Sequence, residues 1–571
     1  MSFDKAAEAI TIHVTNLPGW ERLRTLAAEA DLDEATISEI IGTAAKFSAD
    51  ILEPFDKSAD HVGCRVENGR VITAPGHKEA WQAFVEGGWP TLNASPEFGG
   101  SGLPFVIHSA CEELFNRGSL SFGMLATPCR CASMLLDEHA SDDIKNEWLP
   151  KFISGEWGAT ICISEGDAGS DVGRIRTMAT PQEDGSWSIS GEKMWISYGD
   201  HDLTSRIGHM VLARTPDAPP GTRGISLFLV PSDIDGAHNG TIVHRIEEKM
   251  GLHGSPTCNF GFEESKGYLI GQLHRGLPQL FTMIIGMRIS VGSQGAALAN
   301  AAADLGIAYA ADRKQGGKPD AAPIAIARHK DVQRQLSNMA ARAEVTRGLV
   351  LTTSILADLS KLEDDDAAKA QHSALMGWLL PITKNFCAES AFITSSEAIQ
   401  VLGGAGYTTE WPAERYARDA RVLAIYEGTT GMQAQDLLHR RLLKDEGKGL
   451  KAFLTVAQAD IDAATDKEAA ANLTQVIAEL TQASEWLGGR TDTPADIDYA
   501  AVSYLNLASL AATGWVALRL SNLSGDALRD KMAARGRYWL RFIPGMAANE
   551  HRLIKAGAAI LEADAITFEE A

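Results

Sequence analysis

The strongest constraint on the fold is a change in hydrophobic pattern in the middle of the chain. Between residues 158 and about 271, short strand-like runs alternate with turn residues, and Asp184-Gly185 separates two of these runs as a hairpin turn would. Residues 209–213 and 225–231 fit two further strands. Several short strands with turns between them predict a small antiparallel barrel or sandwich.

Helical patterns flank this segment on both sides. Apolar residues recur at helical spacing in residues 79–86, and long helical stretches follow the strands at 281–311, 332–359 and 378–402. A charged, glycine-containing boundary at 444–449 separates these stretches from a final helical region of more than a hundred residues.

The order helix, sheet, helix predicts an α+β protein, and 571 residues are too many for one core. We expect an N-terminal helical domain, a central antiparallel β-barrel domain, a C-terminal four-helix bundle and an extra helical C-terminal extension. The expected bounds are 1–157, 158–272, 273–444 and 445–571, in that order.

The composition narrows the class of partners. A net charge of −22 argues against general nucleic-acid binding, which requires a basic face. The sequence contains no eighteen-residue apolar run and no basic-then-apolar start, so we expect neither a membrane span nor a secretory signal. Seven cysteines without such a signal predict reduced thiols in the cytoplasm. The closest pair, Cys129 and Cys131, lacks zinc-ligand spacing, so no metal site is expected.

Two segments of the strand-rich region have the residues to hold a flat, anionic ligand. Residues 162–171 run from a strand-like start into a Gly-Asp-Ala-Gly-Ser-Asp turn, whose N–H groups can bind anionic oxygens. Residues 191–198 include Trp195, which can stack on a heterocycle, and Ser197, which can hydrogen bond to it. Each segment also has a plainer interpretation, the first as a connection after a strand and the second as the core Trp of a barrel.

Together with Glu427 in the run Ala-Ile-Tyr-Glu-Gly-Thr-Thr, these segments resemble the acyl-CoA dehydrogenase family. Its patterns are Thr-Glu-Pro-x-x-Gly-Ser-Asp and Gly-x-Lys-x-Trp-Ile-Thr-Asn, and they flank the flavin. Ser164 and Ser197 replace the usual Thr but keep the hydroxyl, whereas Gly166 replaces Pro and Tyr198 replaces Asn. The resemblance implies FAD as the cofactor.

Further matches follow in the order of the family. Residues 249–255 resemble the Lys-x-Gly-x-x-x-Ser segment that closes the β domain, and Arg288 resembles the Arg that opens the C-terminal bundle. Arg313 and Gln315 resemble the Arg-x-Gln that reaches the flavin diphosphate of a neighbouring subunit, although Gly316-Gly317 stands where the family has Phe-Gly. The forked guanidinium suits a diphosphate, but Arg313 alone would be interpreted as a surface charge at a helix end.

Gln400 and the glycines of Gly-Gly-Ala-Gly, including Gly403 and Gly404, come after a helical stretch rather than a strand. They therefore predict a helix C-cap and a loop, not a dinucleotide-binding fingerprint. In the family these residues touch the adenosine-diphosphate end of FAD from the partner subunit. The resemblance thus implies a homo-oligomer, a dimer or a tetramer, because two chains hold one cofactor.

Glu427 is the expected catalytic base. Its neighbours Ile425 and Tyr426 suggest an apolar setting, in which a carboxylate has a raised pKa and becomes a stronger base. The resemblance implies that Glu427 removes the proton α to the thioester carbonyl of an acyl-CoA, and that its backbone N–H helps to hold the thioester oxygen. Taken alone, Glu427 would be a first-turn helix residue favoured by the helix dipole.

The predicted site residues fall into three sets. The catalytic residue is Glu427. The cofactor-binding residues are Ile163, Ser164, Gly169, Ser170, Trp195, Ser197, Arg313, Gln315, Gln400, Gly403, Gly404 and Thr429. The substrate-binding residues are Ser170, Arg288, Tyr426 and Gly428.

The region beyond residue 444 resembles a long bacterial branch of the family that includes 3-methylmercaptopropionyl-CoA dehydrogenases. That thioester, or another short- or medium-chain acyl-CoA, is the expected substrate, and an electron-transfer flavoprotein is the expected electron acceptor. Three alternatives remain: an acyl-CoA oxidase, a flavoprotein of this fold with other acyl-CoA chemistry, and a non-enzymatic acyl-CoA-binding scaffold.

Overall fold

The computed structural model describes residues 2–563. Its α-helices, in chain order, are α1 (Phe3–Asn16), α2 (Trp20–Leu26), α3 (Glu34–Phe47), α4 (Glu53–Val62), α5 (His77–Glu86), α6 (Phe105–Gly118), α7 (Leu120–His139), α8 (Asp142–Ile153), α9 (Gly276–Asp312), α10 (Lys330–Leu362), α11 (Asp366–Leu402), α12 (Ala413–Arg421), α13 (Thr430–Gln435), α14 (Lys448–Ala463), α15 (Lys467–Gly488), α16 (Pro494–Ser521) and α17 (Ala527–Ala556). Its strands are β1 (Arg65–Glu67), β2 (Arg70–Ile72), β3 (Trp157–Cys162), β4 (Met178–Pro181), β5 (Trp187–Ser197), β6 (Arg206–Arg214), β7 (Ile225–Pro231), β8 (Asp233–Ile234), β9 (Ala237–His238), β10 (Thr241–Ile246) and β11 (Thr257–Leu269).

The chain divides into two compact units. One unit, Glu39–Ser290, contains the strands and the helices from α4 to α8. The other unit combines Met1–Ser38 with Val291–Ala571, so the first two helices belong to the same compact body as the C-terminal helices. We refer to Glu39–Ser290 as the sheet unit and to the other as the helical unit.

The main sheet of the sheet unit has seven strands. The strand order is β10-β11-β5-β4-β6-β3, and β7 pairs with both β11 and β6. The predicted hairpin is confirmed: β4 and β5 are antiparallel, with Pro181 opposite Trp187, and Gly185 in their turn has φ +82°. Buried apolar side chains fill the sheet interior, including Ile189 of β5, Val211 of β6, Phe228 of β7 and Phe260 of β11.

The expectation that all strands pair antiparallel is wrong. Strand β3 pairs with β6 in parallel over its whole length, from Trp157–Arg206 to Cys162–Val211, and the single β4–β6 pair is also parallel. A parallel pair needs a long crossover instead of a hairpin. The 43 residues between β3 and β6 (163–205) supply it, and turn signals between neighbouring strands cannot reveal such a pairing.

In the helical unit, the three long predicted helices are confirmed as α9, α10 and α11. Helix α11 begins at Asp366, well before the expected start, because the Asp365 carboxylate accepts a hydrogen bond from the Ala368 N–H at 2.8 Å and caps it. Helices α9 to α12 share one core of buried apolar residues, most of them small; they include Ala299, Ala302, Met339, Ala343, Ala398, Leu402 and Ala413.

The C-terminal extension packs into this same unit. Glu344 of α10 is fully buried, and it accepts from His13 Nε2 of α1 at 2.7 Å and from Arg535 Nη1 of α17 at 2.5 Å. Burial opposes ionisation of this carboxylate, but Arg535 and His13 hold its pKa well below the usual range. One anion therefore ties the extension and the first helix to α10.

Helix α16 is long and apolar enough by composition to cross a membrane. However, 83% of its most apolar window is buried inside the protein. Trp515 in α16 donates from Nε1 to Asp460 at 2.6 Å, and Gly514 lies against Ile543 of α17. These contacts identify α16 as a core helix of the helical unit.

Candidate active site

The turn that follows β3 is fixed by hydrogen bonds. Glu165 and Ala168 exchange two backbone hydrogen bonds of 3.1 Å each. The Glu165 carboxylate accepts from the Thr177 hydroxyl at 2.6 Å, the Arg176 N–H at 2.6 Å and Lys193 Nζ at 2.7 Å. These hydrogen bonds therefore hold the backbone of the turn, residues 163–168, in one conformation.

Lys193 of β5 is the buried anchor of this turn, and the sequence interpretation gave it no role. Its side chain is fully buried, and Nζ donates to Ile163 O at 3.0 Å and to Leu212 O at 2.9 Å as well as to Glu165. Burial lowers its pKa, while Glu165 acts in the opposite direction. The sequence signal that could have revealed this role is a lysine at an inward-facing position of a strand, since lysine is rarely buried without a partner.

Trp195 is not a core residue, so the plainer interpretation of it is wrong. Its side chain is 60% exposed, and its φ is +66°. The cause is a β-bulge: Ile196 pairs with Cys258 and Lys193 with Phe260, so two residues of β5 face one residue of β11. The bulge turns the indole outward and makes it available for stacking.

The bulge brings the two predicted segments together. The Met194 N–H, next to Trp195, donates to the carbonyl of Ser164 at 3.0 Å. Ile163 and Ser164 are half-buried, and Ser197 lies at the end of β5 opposite Thr257. The sheet thus places hydroxyl groups and an exposed indole at one location.

Two more predicted residues lie on the open side of the turn. Gly169 and Ser170 are exposed, and a Cβ at Gly169 would meet no atom within 4 Å in the described structure. Tyr198, which replaces the family Asn, faces the other way: it is fully buried and donates to Ser121 O at 2.7 Å. Tyr198 is therefore a packing residue. Arg288 lies on α9, in the part that belongs to the sheet unit.

Glu427 lies in the loop before α13, not in the first turn of that helix. The N-cap of α13 is Thr429, whose hydroxyl accepts from the Met432 N–H at 3.4 Å. Glu427 has φ +55°, an uncommon conformation for a residue with a Cβ, and Gly428 follows with φ +94°. The helix-dipole interpretation of Glu427 does not hold.

Side chains hold this loop by its carbonyls. Gln433 Nε2 donates to Glu427 O at 3.1 Å and to Gly428 O at 3.2 Å, and buried Lys384 donates to Gly428 O at 2.8 Å. The Tyr426 hydroxyl donates to Gln294 Oε1 of α9. The sequence interpretation missed Lys384 and Gln433, because both lie within helices that read as ordinary core helices.

The residues predicted to reach a second subunit's cofactor lie at exposed positions of the helical unit. Arg313 and Gln315 are exposed just after α9, where Gln315 N–H donates to Ile324 O at 2.8 Å. The predicted C-cap is confirmed: α11 ends at Leu402, and Gly403 has φ +63°. Gln400, Gly403 and Gly404 are exposed.

The predicted residues therefore form two groups. The turn after β3, Trp195, Ser197 and Arg288 lie in the sheet unit, whereas the Glu427 loop, Arg313, Gln315 and the Gly403 region lie in the helical unit. Across residues 2–563, no cluster of three or more His, Cys, Asp or Glu side chains is placed to hold a metal ion.

Three family models match consecutive parts of the chain. They describe the N-terminal domain of acyl-CoA dehydrogenases at residues 36–156, the middle domain at 160–265 and the C-terminal domain at 274–443. Together they cover most of the chain before the extension.

Similarity to individual proteins extends over the C-terminal extension as well. The chain is 35% identical to a 3-methylmercaptopropionyl-CoA dehydrogenase of Ruegeria pomeroyi, over 99% of this chain and 100% of that protein. Its fold is similar to Caenorhabditis elegans ACDH-11 in complex with C11-CoA, with a TM-score of 0.78 at 18% identity over 95% and 92% of the two chains. It is also similar to a Bacillus anthracis acyl-CoA dehydrogenase complexed with FAD, with a TM-score of 0.73 at 20% identity over 94% and 90%. The chain belongs to the acyl-CoA dehydrogenase family of flavin-dependent oxidoreductases.

Proposed function

We propose that this enzyme uses FAD to convert an acyl-CoA thioester into a 2,3-enoyl-CoA, with Glu427 as the base. The observation that carries the proposal is the backbone of Glu427, which is held at φ +55° by donors to its own carbonyl and to that of Gly428. Strained non-glycine conformations persist where the surroundings impose them, and they cluster at functional sites.

The donor set of the sheet unit fits a flavin. The exposed indole of Trp195 offers a stacking face, and the hydroxyl groups of Ser164 and Ser197 offer hydrogen bonds beside it. The open space at Gly169 leaves room for the backbone N–H groups of the turn to approach an anion. When bound, the flavin supplies the acceptor for a hydride from the β carbon of the substrate.

The chain itself supplies proton removal and charge stabilisation. The Glu427 carboxylate takes the proton from the α carbon, and its backbone N–H polarises the thioester carbonyl. Because Gln433 and Lys384 fix the two carbonyls at residues 427 and 428, the N–H and the carboxylate keep a constant orientation. We assign Tyr426, Gly428, Ser170 and Arg288 to substrate binding and Thr429 to the cofactor side.

We also propose a homo-oligomer in which Arg313, Gln315, Gln400, Gly403 and Gly404 contact the FAD of a partner subunit. Their exposure leaves these groups accessible to a second chain. A dimer or a tetramer would satisfy this arrangement.

The finer assignments follow the relatives and the sequence. The Ruegeria pomeroyi protein supports 3-methylmercaptopropionyl-CoA, or another short- or medium-chain acyl-CoA, as the substrate. We propose an electron-transfer flavoprotein as the acceptor and a cytoplasmic location, which agrees with seven free cysteines. We propose domain bounds of 1–157, 158–272, 273–444 and 445–571, and the family models at 36–156, 160–265 and 274–443 support the boundaries near residues 157, 272 and 444.

An anaerobic titration of the purified holoenzyme with a panel of acyl-CoA thioesters tests the proposal. We expect the oxidised flavin absorbance to bleach with at least one thioester, and the product to be the 2,3-enoyl-CoA. A flavin that stays oxidised with every thioester would indicate a binding scaffold. In a separate aerobic assay, hydrogen peroxide formed in step with turnover would indicate an oxidase. Release of FMN on denaturation would contradict the adenosine contacts.

A further inference from the structure

A cavity of about 70 Å³ lies among α5 to α8 of the sheet unit. Aromatic rings form much of its wall, including those of Phe84 and Phe122, while one side is polar and presents His108, Glu112 and Arg130. An apolar space with a few convergent polar groups is the usual form of a small-molecule recognition site.

The polar side is a built network with an internal charge balance. Glu112 accepts from the Thr127 hydroxyl at 3.0 Å and from the Ser290 hydroxyl at 3.0 Å, and Ser290 in turn accepts from Arg130 Nη2 at 2.8 Å. Burial acts against ionisation of Glu112, but His108, Arg130 and Ser290 together lower its pKa to about 2. Glu112 therefore balances the charge of Arg130 inside the protein.

Two donors of the network lack a partner. His108 is 6% exposed, and neither ring nitrogen has a hydrogen-bond partner within residues 2–563; its Nε2 lies 3.9 Å from Glu112 Oε1, beyond hydrogen-bond range. Arg130 is 7% exposed, and its Nε is likewise without a partner in the described part of the chain. Because an unmet buried donor is costly, the cavity is shaped for a polar occupant.

The cavity adjoins the elements that carry the predicted site. The Ala159 N–H of β3 donates to Cys129 Sγ in the cavity wall at 3.3 Å, and β3 leads directly into Ile163. Ser290 lies on α9 two residues after Arg288, which we assign to substrate binding. These connections favour part of the substrate as the occupant.

Resting on the function proposed above, we infer that this cavity receives the far end of the acyl group. His108 and Arg130 donate hydrogen bonds there and select acyl-CoA thioesters with a neutral acceptor atom near the acyl terminus. A carboxylate would fit poorly, because Glu112 already balances Arg130 and a second buried anion would be left uncompensated.

Binding of matched thioesters to the holoenzyme tests the inference. The probes are 3-methoxypropionyl-CoA and pentanoyl-CoA, which have the same chain length and differ by an ether oxygen in place of a methylene. Titration calorimetry is the readout, and every protein compared also has Glu427→Gln, so that binding is measured without rapid flavin reduction. We expect the ether to bind about tenfold more tightly, since one hydrogen bond to a charged donor has about this effect. 3-Methylmercaptopropionyl-CoA should lie between them, because a thioether is a weak acceptor.

The charge-neutral double variant Glu112→Gln with Arg130→Met should bring the two affinities within threefold. His108→Leu keeps both Glu112 and Arg130, so its folding does not depend on whether the protein tolerates loss of that pair. This variant should also reduce the ratio of the two affinities at least threefold. The matched control is Arg206→Met with Glu147→Gln: Arg206 lies 4.8 Å from the ring centre of Trp148, as Arg130 lies 4.9 Å from that of Phe105. This control should keep the ratio found with Glu427→Gln alone.

Equal affinities in the protein with Glu427→Gln alone would overturn the inference and indicate a cavity that holds ordered water only. A ratio that survives His108→Leu unchanged would overturn it as well, whether or not the double variant folds. Because the readout is binding, an absence of flavin reduction with every thioester would count against the proposed function and not against this selection.

Discussion

Trp195 and Glu427 both have a positive φ, and the surrounding structure imposes it by different means. Trp195 is set at φ +66° by main-chain pairing, because a bulge between β5 and β11 imposes it. Glu427 is set at φ +55° by side chains, because Gln433 and Lys384 hold the carbonyls of residues 427 and 428. A conformation imposed by a sheet tolerates exchange of the side chain, whereas one imposed by two side chains depends on both.

The largest effect should follow from removing the base. We expect Glu427→Gln to slow flavin reduction by roughly 10³-fold, since general bases contribute about 10²–10⁴-fold, while the flavin stays bound. Anaerobic stopped-flow absorbance with a saturating acyl-CoA measures the rate. Glu427→Asp, which keeps a carboxylate, should retain more activity than Glu427→Gln, and a rate above a tenth of wild type in Glu427→Gln would exclude this residue as the base.

A second variant removes a hydrogen bond that holds the Glu427 loop and leaves the Glu427 carboxylate in place. Lys384→Met removes a donor to Gly428 O, so we expect flavin reduction to slow by about 30-fold with little change in KM, because orientation and not binding is lost. Thr430→Val is the matched control: Thr430 donates to Glu389 at 3.0 Å, and the variant should stay within threefold of wild type. An equal loss in both variants would mean that the loop is merely destabilised.

At the bulge we expect the opposite pattern, in which cofactor binding changes and the rate of flavin reduction does not. Trp195→Ala should weaken FAD binding about tenfold through lost stacking, but it should leave the reduction rate at saturating FAD within threefold. Fluorescence titration of the apoprotein with FAD measures the affinity. Trp195→Phe keeps an aromatic face and should bind FAD within threefold of wild type, so unchanged affinity in Trp195→Ala would remove this residue from the cofactor site.

The smallest expected effect on catalysis is at the turn after β3, where stability changes instead. Burial acts to raise the pKa of Glu165, but Lys193 and Thr177 lower it overall from its ordinary value near 4.5. Its stabilising effect is therefore fully present above that value and is lost as the pH falls through the lower folded value. Glu165→Gln should reduce the free energy of unfolding by about 3 kcal/mol at pH 7, because the amide keeps some of the hydrogen bonds but leaves the buried Lys193 ammonium without its carboxylate.

Denaturant unfolding at pH 7 and pH 4 checks this prediction, and the difference between the two proteins should shrink at pH 4. A difference that grows on acidification would mean that Glu165 is not the group that titrates. Flavin reduction should be unaffected in the folded variant, unlike that of Lys384→Met.

Much of the architecture could be predicted because its signals are local. Helical periodicity located α9 to α11, Asp184-Gly185 located a hairpin, and Gly403 located a helix end, and each depends on residues within a few positions. The family resemblance was visible because its motifs are short and lie in a fixed order.

The rest depends on contacts between residues far apart in sequence. The parallel pairing of β3 with β6 spans 43 intervening residues, and no turn residue encodes it. Lys193 and Lys384 looked like ordinary members of a strand and a helix, yet each donates to carbonyls of a distant turn. The exposure of Trp195 follows from one extra residue in a strand, which changes no local pattern.

The buried carboxylate at position 344 gives the C-terminal hundred residues a meaning beyond added length. A chain that stopped at the boundary near residue 444 would lose Arg535 as a partner of this carboxylate. Glu344 would keep His13 and also Arg347, whose Nη1 lies 3.7 Å from Glu344 Oε1. The extension therefore supplies one of three cationic partners of a single buried anion, and its removal would weaken that charge balance without abolishing it.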